Sequence, residues 1–187
     1  MPKLTITEAL QEIKTISKRL VKKRESLSMY LARDMRVRDP LEKDGGSAKF
    51  LAEERQSMHD LEERVITLRT AIQLSNLTAP IVVGGQSRSV AEWLTWRREI
   101  SPNQVAFART LVQGIVSIRQ KAQEKGGRAI SANVAQVVEN YDPNGPLQVV
   151  VNLDEVEVLR EQERLETILG DLDGKLSLFN ATTVIEV

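Results

Sequence analysis

With 187 residues, 41% of them apolar and only 4% aromatic, the chain can bury one real core, built from Leu, Ile, Val and Ala, a composition that suits helix bundles. It has no cysteine, which excludes disulfide staples and cysteine-based zinc sites and fits a reducing compartment. The formal net charge is zero but unevenly spread: residues 1–36 carry nine basic and four acidic side chains, residues 88–128 eight and three, and residues 129–187 three and eleven. That polarity invites contacts between subunits and lacks the chain-wide basic excess of a duplex DNA binder, so a homo-oligomer is expected and nucleic acid is not.

In chain order, Leu10, Ile13, Ile16, Leu20, Leu27 and Leu31 recur at helical spacing and predict a first helix from Thr7 to about Arg36. Lys18, Arg19, Lys22, Lys23 and Arg24 give it a basic outer face, read as solvated surface or, alternatively, as a surface for nucleic acid or an acidic partner. Asp39-Pro40 stops it, and Lys43 to Ser47 supplies turn chemistry. A second helix is expected from about Ala48 to Asn76, with Met58, Leu61, Val65, Leu68 and Ile72 at coiled-coil spacing, so residues 1–76 read as an antiparallel hairpin. His59, the one histidine, has Glu62 and Glu63 a turn away, too little for a metal; it reads as a surface residue.

Residues 77–187 read as a mixed helical region with short strands, a C-terminal helix and a tail. Leu77 to Val83 suits a strand or an extended connector into Gly84-Gly85. Ser89 and Glu92 have capping-box spacing, which starts a helix at Val90. Ser101-Pro102 then reads as a break and a new start, with Ser101 as N-cap, followed by an apolar stripe of Phe107, Leu111, Gly114, Ile115 and Ile118 up to Gly126-Gly127. Val134–Tyr141 and Leu147–Leu153, separated by the turn signal Asp142 to Pro146, suit a hairpin. A last helix is expected over Leu153–Phe179, carrying Val156, Leu159, Ile168, Leu169, Leu172 and Leu176. Asn180–Val187 closes the chain as a strand-forming tail, added to a short sheet of its own or a neighbouring subunit. The fold class is mainly α: a long antiparallel helical hairpin plus further helices, with a small β element near the C-terminal half.

The chemically dense stretch is Gly84 to Arg98. The amides of Gly84 and Gly85 and a helix start near Val90 make a place for an anion, to which Arg88, Arg97 and Arg98 could bring charge-assisted contacts. An indole of Trp93 or Trp96 would be available to stack on a base. Helical spacing puts Trp93 with Val90, Leu94 and Arg97 on one face, and Trp96 on a different face. The alternative is that Trp93 is core and the arginines are solvated surface. No Ser, His and Asp set, phosphate-loop consensus or dinucleotide fingerprint is present, and Asp171 with Asp173 is the nearest approach to a metal pair. No catalytic residue, metal or cofactor is therefore expected. No apolar run has the length of a membrane span, so a soluble protein without a membrane partner is expected.

Through Gly85-Gln86-Ser87-Arg88-Ser89-Val90-Ala91-Glu92 and the closing Leu176-Ser177-Leu178-Phe179-Asn180-Ala181-Thr182-Thr183-Val184-Ile185-Glu186, the chain resembles a group of uncharacterised bacteriophage helical proteins, with Trp93 and Trp96 standing where smaller or aliphatic residues are the pattern. Its first two helices are similar to the N-terminal hairpin of septicolysin-like bacterial families. The resemblance implies a phage setting, in the host cytoplasm or the virion. Joined to the Gly, Trp and Arg cluster, it gives the expected function: a non-enzymatic, homo-oligomeric protein sequestering a small anionic, nucleotide-like ligand of host defence. The alternative is a virion structural or assembly protein acting through contacts with other phage proteins.

Overall fold

The computed structural model describes residues 3–131 and 145–187. It is mainly α, with short strand pairs, as expected. Two compact units divide it: Met1–Ala79 with Leu176–Val187, and Pro80–Lys175. The last residues thus belong with the N-terminal hairpin rather than with the region that precedes them.

The first unit opens with strand β1 (Lys3–Thr5) and helix α1 (Ile6–Met29). Thr5 caps α1: its hydroxyl accepts from the Glu8 amide at 3.2 Å while the Glu8 carboxylate accepts from the Thr5 amide at 2.7 Å. Helix α1 ends seven residues short of the expected Arg36, where local bonds outcompete the helix. The Asp34 carboxylate accepts from the Arg36 amide at 2.9 Å, and the Arg33 guanidinium donates to the Val37 carbonyl at 3.0 Å. Tyr30 turns its ring edge-on to Phe50, centroids 5.1 Å apart. Leu31 is consequently exposed in a loop rather than part of a seam.

Helix α2 (Ser47–Thr78) runs antiparallel to α1. The ion pairs Lys23–Glu54 at 2.7 Å and Arg64–Glu12 at 2.8 Å fix that direction. Between them Ile6, Ala9, Ile13, Ile16 and Leu20 meet Leu68 and Ile72, flanked by half-buried Met58, Leu61 and Val65. Ala9 and Ile6 hold the places expected of Leu10, which is exposed. Strand β6 (Val184–Glu186), preceded by the end of a long helix that continues through Asn180 to Thr182, pairs antiparallel with β1, Leu4 opposite Ile185. The tail is therefore a strand of its own subunit only from Val184, and Ile185 joins the hairpin core.

The second unit begins with β2 (Pro80–Val83) and β3 (Gln86–Ser89), an antiparallel hairpin. Its two-residue turn is Gly84-Gly85, both at positive φ (55° and 78°), the conformation of a type I′ turn that glycine adopts without cost. Helix α3 (Val90–Thr95) starts on the expected Ser89/Glu92 capping box. It does not break at Pro102. It passes through one π turn (Trp96–Ile100) into α4 (Ser101–Glu124). Proline cannot donate to the preceding turn, and the wider turn accommodates this. Ser101 is no N-cap: buried, its hydroxyl donates to the Arg97 carbonyl at 3.0 Å, and the Asn103 side-chain amide donates to the Glu99 carbonyl at 3.2 Å, both within the turn that Pro102 interrupts.

Helix α4 ends in a Schellman arrangement, with the Gly127 amide on the Ala122 carbonyl at 2.8 Å and Gly126 at φ 69°. Strand β4 (Arg128–Ser131) follows and pairs parallel with β5 (Gln148–Val151). The pairing corrects the expected hairpin: the partner of residues 148–151 is the stretch just after α4, and Val134–Tyr141 lies outside the described residues. Helix α5 (Glu155–Thr182) supplies this unit with residues up to Lys175. Its buried positions are Val158, Leu165 and Leu172, one heptad apart, and those of α4 are Ser101, Ala108, Ile115 and Ala122, also one heptad apart. Of the expected stripes, Ile115 of α4 and Leu172 and Leu176 of α5 are buried, whereas Phe107, Ile118, Val156 and Leu159 are exposed.

Candidate functional site

Each residue of the Gly84–Arg98 cluster has a definite place. Trp93, 2% exposed, is core; its indole N–H donates to the Ile81 carbonyl at 3.1 Å, tying α3 to the hairpin. Trp96 is half-buried and donates to Gln104 at 3.1 Å. The two indoles do not lie on separate faces: they meet edge to face, centroids 5.5 Å apart, because residues i and i+3 are neighbours on a helix. Arg88 spans the Trp93 ring with its guanidinium carbon 5.1 Å from the centroid and donates to Gln86 at 3.0 Å.

The other two arginines go elsewhere. Arg97 pairs with Asp173 of α5 at 2.9 Å, and Arg98 pairs with its neighbour Glu99 at 2.6 Å. The three cations thus engage three different partners instead of converging on one point. At the start of α3 the Glu92 carboxylate already accepts from the Ser89 amide at 2.8 Å, and the Ser89 hydroxyl and amide hold its pKa below the ordinary value. A negative charge therefore occupies the place where an incoming anion would meet the helix dipole. Gly84 lies against Ile168 of α5, and Gly85 has open space beside it.

Charge is matched inside each unit. Basic α1 side chains pair with Glu54 and Glu62 of α2, and Arg97 and Arg119 pair with Asp173 and Glu155 of α5. Asp171 and Asp173 serve different cations, Lys175 at 2.9 Å and Arg97. Among the described residues no three His, Cys, Asp or Glu side chains gather as a metal-ligand set, and no helix is long and apolar enough to cross a membrane. No protein family, no curated protein sequence and no solved structure matches the chain.

Two concavities of the second unit were not foreseen. A groove of about 350 Å³ lies between α4 and α5, lined by Phe107, Ala108 and Leu111 on one side and Val158 and Leu165 on the other. Its charged lining consists of two carboxylates, Glu157 and Glu161. The signal for it was in the sequence: the heptad of α4 holds small residues, so the bulky Phe107 and Leu111 beside them flank the seam without closing it. A second cleft of about 440 Å³ sits beside the hairpin turn, where Gly84 meets Arg160, Glu163, Arg164 and Thr167 of α5, with Arg164 paired to Glu161 at 3.4 Å. Arg160 and Arg164 are two of only three basic residues among the eleven acidic ones of residues 129–187, so the charge pattern does not single them out.

Proposed function

We propose that this chain is a non-enzymatic, phage-encoded helical protein that works through protein–protein contacts, with copies of itself and with other phage proteins, as an assembly or virion component. The observation that carries the reading is the apolar α4–α5 groove, in which Phe107 stays 65% exposed. Large apolar side chains grouped in a concavity are the usual mark of an interaction site. The phage setting rests on the resemblance carried by residues 85–92 and 176–186. Mass spectrometry of purified virions tests it: a fixed copy number per particle is the expected result. Absence from particles, together with a monomer in sedimentation at protein concentrations on the order of tens of micromolar, overturns it.

A second reading, sequestration of a small anionic, nucleotide-like ligand, is favoured by one feature, the cleft that sets Arg160 and Arg164 beside Gly84. The Gly84–Arg98 cluster supports it less, since Trp93 is buried and Arg97 and Arg98 are paired. Calorimetry with a panel of linear and cyclic nucleotides separates the two. Micromolar heat release lost in Arg160→Ala and Arg164→Ala supports sequestration, and no heat with any nucleotide removes it.

A further inference from the structure

We infer that the α4–α5 groove seats the Leu31–Arg38 loop of a second copy of this chain, with Met35 as the side chain that enters it. The inference rests on the assembly reading above and names its contact. Met35 is 95% exposed at the apex of an ordered turn, in which the Val37 amide donates to the Asp34 carbonyl at 3.0 Å and Arg33 closes the loop onto the Val37 carbonyl at 3.0 Å. Leu31 and Val37 beside it are exposed as well. Among the described residues no other large apolar side chain is so fully in water. An unbranched thioether is the side chain best able to fill an irregular apolar groove.

Charge selects the same occupant. The loop carries Arg33, Arg36 and Arg38 against Asp34, whereas the charged lining of the groove is Glu157 and Glu161. In the isolated chain the loop arginines lean on local acids, Arg36 on Asp34 at 2.6 Å, Arg33 on Asp39 at 3.8 Å and Arg38 on Glu42. Exposed pairs of this kind are worth little and exchange readily for partners in a drier interface. The outer face of α1 is also basic, with Lys14, Lys18 and Lys22 along it, but these lysines frame no protruding apolar knob; the loop combines both features. Every copy carries one loop and one groove, so the contact can close on itself in a pair or repeat around a ring.

The absence of cysteine makes the test direct. Full-length Met35→Cys and Phe107→Cys proteins, mixed and oxidised, are expected to give a disulfide-linked species containing one of each, in preference to like-with-like products. In sedimentation, Met35→Asp and Phe107→Asp should each raise the dissociation constant by about tenfold to a hundredfold, the effect of withholding one apolar anchor. Both positions are exposed, so the far-ultraviolet circular dichroism should be unchanged. Glu161→Lys should weaken self-association, and mixing it with an Arg36→Glu copy should restore it. A wild-type oligomer that ignores Met35→Asp and Phe107→Asp, or cross-links only like with like, overturns this seat while leaving the assembly reading standing. A wild-type monomer overturns this seat, and overturns the assembly reading only when joined to absence from virions; capture of a different phage protein in the groove overturns the second-copy occupant.

Discussion

In the unit of residues 1–79 and 176–187 the helix seam is filled mostly by branched aliphatics, Ile6, Ile13, Ile16 and Leu20 with one small residue, Ala9, facing Leu68 and Ile72, and Ile185 of the closing strand is laid against it. In the unit of residues 80–175 the corresponding seam positions of α4 are Ser101, Ala108, Ile115 and Ala122. Branched aliphatics at the seam use up the apolar surface between helices. Small ones leave the bulky neighbours, Phe107 and Leu111, at the lip of a groove. The comparison teaches that a helix pair's capacity to bind something else is set by which residues are absent from its seam as much as by those present.

The largest expected effect breaks the comparison from the filled side. Leu68 is fully buried, so Leu68→Asp places a carboxylate where no partner exists and should cost about 5 kcal/mol or more. Phe107→Asp, at the open lip, should stay within about 0.5 kcal/mol. Urea unfolding of the two variants measures both, and similar midpoints would mean that the seams do not differ as described.

The difference between the units also governs what could be read from the sequence. The hairpin was legible because its large apolar residues recur at helical spacing and its caps and turn signals agree with them. The differences there are Ala9 in place of Leu10, where the seam has room for a small side chain, and the end of α1 at Met29, where the local bonds of Asp34 and Arg33 leave Leu31 exposed. In the second unit Ile115 and Leu172 are core as their spacing predicts, but Ser101, Ala108 and Ala122 do not look like core, yet they hold the heptad. Pro102 reads as a break because its cost is real, but the π turn absorbs it, with the side chains of Ser101 and Asn103 bonding back to the Arg97 and Glu99 carbonyls. The capping box at Ser89 and the Gly84-Gly85 turn are local chemistry and were visible. Arg98 turns to its sequence neighbour Glu99, a local contact, whereas Arg88 over Trp93 and Arg97 on Asp173 depend on how the hairpin and α5 pack against α3, which no local pattern encodes.

A smaller effect sharpens the comparison at the hairpin turn. Gly84 and Gly85 both require positive φ, but a Cβ on Gly84 would come 3.0 Å from Ile168, while one on Gly85 meets nothing within 4 Å. Alanine at either position should cost about 1–2 kcal/mol for the left-handed backbone. Asparagine, which tolerates that conformation, should be nearly neutral at Gly85 and remain costly at Gly84, where Ile168 has to shift. Equal melting temperatures for Gly84→Asn and Gly85→Asn would show that the turn does not approach α5.

The smallest effect is a pH dependence confined to the loop that carries Met35. The Asp39 carboxylate accepts from the Ser47 amide at 2.9 Å, the Ser47 hydroxyl at 2.7 Å and the Leu41 amide at 2.9 Å, so it joins the loop to the start of α2. The Ser47 amide and hydroxyl and then the Leu41 amide bring its pKa down from 3.8 to about 2. Because the folded value is the depressed one, the stabilisation is complete above 3.8 and is lost as pH falls from there through about 2. Glu8, Asp34 and Glu92 are also held below their ordinary values, by Thr5, Arg36 and Ser89 respectively, so global acid unfolding would mix four groups. A local probe isolates Asp39: the amide signals of Ser47 and Leu41 should titrate together near pH 2 and exchange faster below it, while the amides around Leu68 stay protected. In Asp39→Asn that joint titration should vanish and the loop should exchange faster at neutral pH. If the Ser47 and Leu41 signals instead move near pH 4, Asp39 holds an ordinary pKa and the loop is not fastened in this way.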